Sequence, residues 1–437
     1  MNSADLIVLP RWIVPVEPAG VVLEDHALVV ANGRIADVLP ADFARQAWRA
    51  TETLALPGHA VMPGLVNLHT HSAMSLLRGI ADDLPLMDWL QNHIWPAEGA
   101  HVSAEFCADG VRLAMAEMIR GGQTCFNDMY FFPDVTAVAA SAAGLRACVG
   151  LIVLDFPSVW AQNAAEYIHK GVELHDRLRG DRRVRTAFAP HAPYTVSDAP
   201  LREVRKLSGE LSIPIHMHVH ETAGEVAGAV QAGGRRPWAR LKELGLVGPD
   251  LIAVHMTQLD ASEIAEAAEN GVTVAHCPES NLKLASGFCP VAKLLAAGVN
   301  VAVGTDGAAS NNDLDLFGEM RTAALLAKAV AGDASALPAH QALHMATLAG
   351  AKALDLDGEI GSLTKGKAAD FIAVDLGAFN TQPVYNVVSQ LVYATSPRQV
   401  SDVFVAGRAL LRNGELQTLD AEAIRAKAQE WRRRIQG

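Results

Sequence analysis

Between about residues 60 and 365 the chain repeats one pattern. Short apolar runs, bounded by turn residues, alternate with longer stretches in which apolar positions recur at helical spacing. The runs predict strands at 65–69, 123–127, 146–152, 185–189, 213–219, 251–255, 272–275 and 300–304. Helices rich in Ala, Leu and Glu fall between them, as at 104–120, 201–208, 261–270 and 290–297. Strands alternating with helices predict parallel βαβ units, and eight of them predict an α/β fold of the (β/α)8 TIM-barrel type. The flanks read differently. Apolar runs at 5–9 and 27–30 are broken by Pro18-Ala19-Gly20 and Asn32-Gly33-Arg34, as β-strands and turns are. Runs at 370–374 and 403–405 look alike, and Ala406-Gly407-Arg408 is similar to the early Asn-Gly-Arg. A helix at 420–436, capped by Asp420, closes the chain. Neither flank makes a domain alone. The expectation is therefore a barrel over 61–364 and a small β-sandwich assembled from 1–60 and 365–437.

Composition narrows the class. With 437 residues, half of them hydrophobic, the chain can bury a large core. Its formal charge of −12 speaks against a nucleic-acid coat or a polybasic membrane anchor. No apolar run reaches the roughly 18–20 residues of a membrane helix, and Met1-Asn2-Ser3-Ala4-Asp5 lacks the basic start of a signal peptide. Five cysteines, an odd number with no close pair, suit a reducing compartment. A cytoplasmic protein without nucleic-acid or membrane partners is expected.

The predicted strand ends carry an unusual set of side chains. The first ends in His69-Thr70-His71, the fourth runs into His191, and the fifth holds His216, His218 and His220 before Glu221. The sixth ends in His255, the seventh in His276, and the eighth in Thr305-Asp306-Gly307. Active sites of such barrels lie at this end. Imidazole and carboxylate together suit zinc or iron. In His69-x-His71 the strand period of two puts both rings on one side, so both can reach one ion. The same period leaves His216, His218 and His220 equivalent.

Pro63-Gly64-Leu65-Val66-Asn67-Leu68-His69-Thr70-His71 resembles the opening signature of the amidohydrolase superfamily. His218, His255 and Gly304-Thr305-Asp306 resemble its later strand-end motifs in the right order. The resemblance implies a metal-dependent hydrolase or deaminase, with His69, His71, His218 and Asp306 as ligands. The family's His-x-x-Glu begins at His218 and ends at Glu221, which leaves His216 and His220 as packing or supporting residues. Two-metal members use a carboxylated Lys at the end of the fourth strand. Ala187-Phe188-Ala189-Pro190-His191 has none there, so one divalent ion, with zinc foremost, is expected.

By the same resemblance Glu221 shuttles protons to a ring nitrogen, Asp306 is ligand and proton acceptor, and His255 orients the attacking water. Trp89-Leu90 and Ile94-Trp95-Pro96-Ala97-Glu98 resemble the lid of deaminases for 5′-methylthioadenosine and S-adenosylhomocysteine. Glu98 matches a residue that accepts from both ribose hydroxyls, His191 a substrate-contacting histidine, and Trp89 offers an apolar face for a methylthio group or ring. Relatives that take S-adenosylhomocysteine use arginines near the third and fourth strands. Arg146 and Arg185 precede apolar strands and do not match them, while Phe156 and Trp160 follow the third strand. Methylthioadenosine and adenosine are thus expected to be preferred. The alternatives are a guanine or 8-oxoguanine deaminase, a triazine chlorohydrolase, or a non-catalytic scaffold. A homo-oligomer, dimer or tetramer, is expected from relatives.

Overall fold

The structure is a computed structural model and describes residues 1–436. Its centre is an eight-stranded parallel sheet, β1 Leu65–Thr70, β2 Gln123–Met129, β3 Arg146–Val153, β4 Val184–Pro190, β5 Ile215–Val219, β6 Leu251–His255, β7 Thr273–His276 and β8 Asn300–Val303. Each strand pairs with the next in chain order, and helices intervene, so the sheet curls into the expected barrel. Nearly every strand residue is buried, because helices cover one face and the barrel interior the other. That double burial explains why these segments read as apolar runs rather than as alternating patterns.

Side chains help close the barrel where β8 meets β1. Asn67 in β1 donates to Thr305 Oγ1 at 2.8 Å and accepts from the Thr305 amide at 3.0 Å. Its Nδ2 also donates to Gln123 Oε1 at 3.0 Å, so one amide ties three strand ends together. The Asp306 amide donates to the His69 carbonyl at 2.9 Å. Only glycine fits at 304, since a Cβ there would stand 2.6 Å from the backbone nitrogen of His69. Sequence and packing thus bring the first and last barrel strands close enough for His69 and Asp306 to meet.

The flanks form one mixed sheet of nine strands. Trp48–Pro63 is its hinge: it runs parallel to Asn2–Ile13 and antiparallel to Phe371–Asp375, with Met62 opposite Ile372. The chain therefore leaves this sheet, builds the barrel, and returns to finish it. The two similar turns abut. Gly33 and Gly407 both have positive φ, and a Cβ on Gly33 would lie 2.6 Å from the Ala406 carbonyl oxygen. Arg146, at the start of β3, makes a buried two-pronged ion pair with Asp370, Nε to Oδ2 at 2.6 Å and Nη2 to Oδ1 at 3.1 Å. Such a pair fixes register between barrel and sheet, since losing one partner would strand the other charge. Helix Ala421–Gln436 follows Asp420, whose Oδ1 accepts from the amides of Glu422 and Ala423. It packs on helix Ala104–Arg120, with Trp431 edge-on to Phe106 and donating to Asp109 at 3.0 Å.

Candidate active site

The C-terminal ends of β1, β5 and the turn after β8 converge on one point. His69, His71, His218 and Asp306 present donor atoms that all lie within 4.8 Å of one another. His69 Nε2 and His71 Nε2 stand 3.1 and 3.2 Å from Asp306 Oδ1, and His218 Nε2 is 3.2 Å from His69 Nε2. The other ring nitrogens are engaged elsewhere. His71 Nδ1 lies 2.5 Å from the Met129 carbonyl and His218 Nδ1 lies 2.7 Å from the His191 carbonyl. A carbonyl only accepts, so both Nδ1 atoms carry hydrogen, and each ring in its neutral form turns a bare Nε2 inward. With those hydrogens on Nδ1, the three Nε2 atoms and Asp306 Oδ1 are left to share one cation. Three imidazoles and one carboxylate are the donors of a single divalent metal site, and they suit zinc.

Further contacts surround the cluster. His69 Nδ1 meets His216 Nε2 at 2.9 Å, so His216 steadies a ring of the cluster, as expected. Asp306 Oδ2 accepts from Ser280 at 2.6 Å and Ser310 at 2.7 Å, which leaves Oδ1 for the centre. His220 is buried away from the cluster and accepts from the Trp238 amide at 3.1 Å. His276 is buried too, and its Nδ1 has no partner among the described residues.

Glu221 and His255 flank the cluster. His255 takes positive φ (74°), a costly conformation for a residue with a side chain, and its Nδ1 meets Asn281 Oδ1 at 2.8 Å. Its Nε2 is 3.8 Å from Glu221 Oε2. Burial pushes the Glu221 carboxyl above the usual range, with His255 acting the other way. A capping arrangement aims Glu221: Thr222 caps helix Ala223–Gly233, and Glu225 reaches back to the Glu221 amide at 2.7 Å.

All of this opens on one cavity. His71, His218, Glu221, His255 and Asp306 form its floor, with His191, Trp89 and Glu98 on its walls. Every sequence-predicted site residue except buried His69 therefore lines it, and His69 lies directly against Asp306. His191 is kept neutral by burial and by His71, its pKa pushed down to about 3. The lid runs through two short helices, Leu86–Trp89 and Trp95–His101, joined by a π-turn at Leu90–Ile94. Glu98 accepts from the Tyr130 hydroxyl at 2.7 Å, and burial raises its carboxyl to about 7. Arg146 and Arg185 lie at the opposite end of the barrel, Arg185 donating to the Asp355 carbonyl. Phe156 lines the cavity. Trp160 is buried against Tyr167, 5.6 Å between ring centroids.

Four residues escaped sequence reasoning. Tyr130 sits one residue past β2, and nothing in its neighbours marks it. Ser280, Asn281 and Ser310 lie four or five residues past His276 and Asp306, and only the fold shows which atom each one holds.

The amidohydrolase family model matches residues 60–410. The chain is 51% identical over 435 residues to a protein of Saccharophagus degradans named 5-methylthioadenosine/S-adenosylhomocysteine deaminase, covering 100% of this chain and 98% of that one. It is 56% identical to the solved structure of an adenosine deaminase from Xanthomonas campestris with bound zinc, with a TM-score of 0.99 and coverage of 100% and 99%. An atrazine chlorohydrolase from Arthrobacter aurescens shares the fold, with a TM-score of 0.90 over 98% of this chain, at 22% identity.

Proposed function

The chain belongs to the amidohydrolase family, and within it we propose a zinc-dependent deaminase of adenine nucleosides. Water replaces the 6-amino group of 5′-methylthioadenosine, S-adenosylhomocysteine or adenosine, releasing ammonia and the inosine analogue. The carrying observation is that a three-histidine, one-aspartate cluster and Glu98 open on the same cavity. Free bases have no use for a carboxylate placed to accept from a vicinal diol.

In this reading His69, His71, His218 and Asp306 hold the ion. When bound, such an ion lowers the pKa of water from ~15.7 to about 7, making a nucleophile available at neutral pH. Asp306 takes the proton of the attacking water through Oδ1, while Ser280 and Ser310 keep Oδ2 occupied. His255 orients that water with the nitrogen that Asn281 leaves free. Glu221, whose burial favours the protonated form, delivers a proton to the ring nitrogen beside the attacked carbon. Trp89 covers the apolar part of the ligand, His191 contacts the ring, and Glu98 accepts from the 2′- and 3′-hydroxyls. Phe156, Pro157 and Val159 favour an apolar 5′ substituent, which supports methylthioadenosine over S-adenosylhomocysteine.

Among the described residues no helix is long and apolar enough to cross a membrane. The five cysteines are buried and unpaired, which supports a cytoplasmic setting. Phe379 and Tyr385, almost wholly exposed, support contact between copies in a homo-oligomer.

The test is a spectrophotometric assay of the zinc-loaded protein with 5′-methylthioadenosine. The adenine-to-hypoxanthine absorbance change is expected with stoichiometric ammonia. Silence from a fully metallated protein would overturn the reading.

A further inference from the structure

We propose that Tyr130 is a positioning residue for ribose selection, acting by holding the Glu98 carboxylate in the orientation that accepts from the diol. The inference rests on the ribose reading of Glu98 given above and adds a residue to it.

The geometry starts from a mismatch in rigidity. Glu98 belongs to a seven-residue helix that follows a π-turn, and its side chain has three rotatable bonds. Reading two hydroxyls at once needs a fixed carboxylate plane, since each hydroxyl must meet a lone pair at hydrogen-bond distance. Tyr130 stands on the opposite footing. It follows the last residue of β2, is buried, packs edge-on to Phe131 at 5.2 Å between centroids, and has only two side-chain torsions. Its hydroxyl donates to Glu98 Oε1 at 2.7 Å. No other hydrogen bond or ion pair to the Glu98 carboxylate occurs among the described residues, so this contact alone fixes its rotation. Oε2 and the remaining lone pair of Oε1 stay free for ligand. Tyr130 itself lines the same cavity, so the barrel rim measures out where the lid carboxylate stands.

The bland explanation is that a buried phenol needs an acceptor and Glu98 happens to be near. The two accounts part on which kinetic constant moves, and for which substrate. If Tyr130 positions Glu98, Tyr130→Phe raises KM for adenosine about tenfold, the scale of a lost hydrogen bond to a charged group. In that case kcat stays within about twofold, because the reacting atoms are untouched. With 2′,3′-dideoxyadenosine the same variant shows no KM change. In a Glu98→Gln background, Tyr130→Phe adds nothing further. Equal KM changes on adenosine and the dideoxy substrate, or a fall in kcat at constant KM, would overturn the proposal. Thermal melting of each variant accompanies the kinetics. If Tyr130→Phe melts below the assay temperature, Tyr130→His, whose shorter donor cannot reach Oε1, takes its place with the same expected loss of selectivity. The control separates the two layers. Should Glu98→Gln leave the adenosine-to-dideoxy KM ratio unchanged, the ribose reading itself fails. Should Glu98→Gln change that ratio while Tyr130→Phe does not, only the positioning role fails.

Discussion

The barrel-end cluster and the lid solve the same problem, placing a polar atom, in opposite ways. In the cluster every donor has at least two restraints. His218 is fixed by its strand and His71 by its place directly after β1, both also by carbonyls of neighbouring chain, and Asp306 Oδ2 by two serine hydroxyls. In the lid, Glu98 rides on a short helix after a π-turn and is held by one phenol. With the roles proposed above, the difference teaches where chemistry and selectivity reside. Bond-making atoms must be held to fractions of an ångström, so they stand on strands with supporting hydrogen bonds. Substrate-reading atoms must let ligand in, so they stand on segments with few anchors.

Mutations can break that contrast. The largest effect is expected from His69→Ala, which removes a cluster member: turnover and bound zinc should both disappear, as seen by assay and elemental analysis. Asn281→Ala tests whether support without direct contact matters on the rigid side. It should lower kcat about 10- to 100-fold while zinc content and KM hold, because His255 loses its tether. On the lid side, Glu98→Gln should raise KM for adenosine and methylthioadenosine about tenfold with kcat little changed. The smallest effect is a pH dependence. Burial raises the Glu98 carboxyl to about 7, so it is ionised above that pH and protonated below. Only the ionised form accepts fully from two hydroxyls. KM for adenosine should therefore climb as pH falls through 7, and this slope should flatten in Glu98→Gln. A slope that survives the substitution would assign it to another group.

The same contrast explains what could be read in advance. Strands buried on both faces announce themselves as apolar runs, so all eight barrel strands were legible, with ends shifted by a residue or two. Period two put His69 and His71 together without any structure. The choice of His218 among three alternating histidines came from family resemblance, and geometry shows why it was needed: His216, on the same face, touches the cluster through His69. An aromatic after a strand end looks the same in sequence whether it turns to the cavity, as Phe156 does, or to Tyr167, as Trp160 does. Tyr130 was invisible for a related reason. Its partner lies 32 residues earlier, on a lid whose π-turn has no periodic signature.

The mixed sheet has a consequence for how the chain is made. Trp48–Pro63 pairs with Asn2–Ile13 early, but its other edge is completed only by Phe371–Asp375. Met62 and its partner Ile372 are 310 residues apart (372 − 62). At ribosomal speeds of about 5–20 residues per second, that edge waits roughly fifteen seconds to a minute for its neighbour. Throughout synthesis of the barrel, an apolar strand with unpaired amides and carbonyls stands open to any other extended segment. Until Ile372 arrives, Val61 and Met62 are the residues through which neighbouring nascent chains on one message would exchange strands.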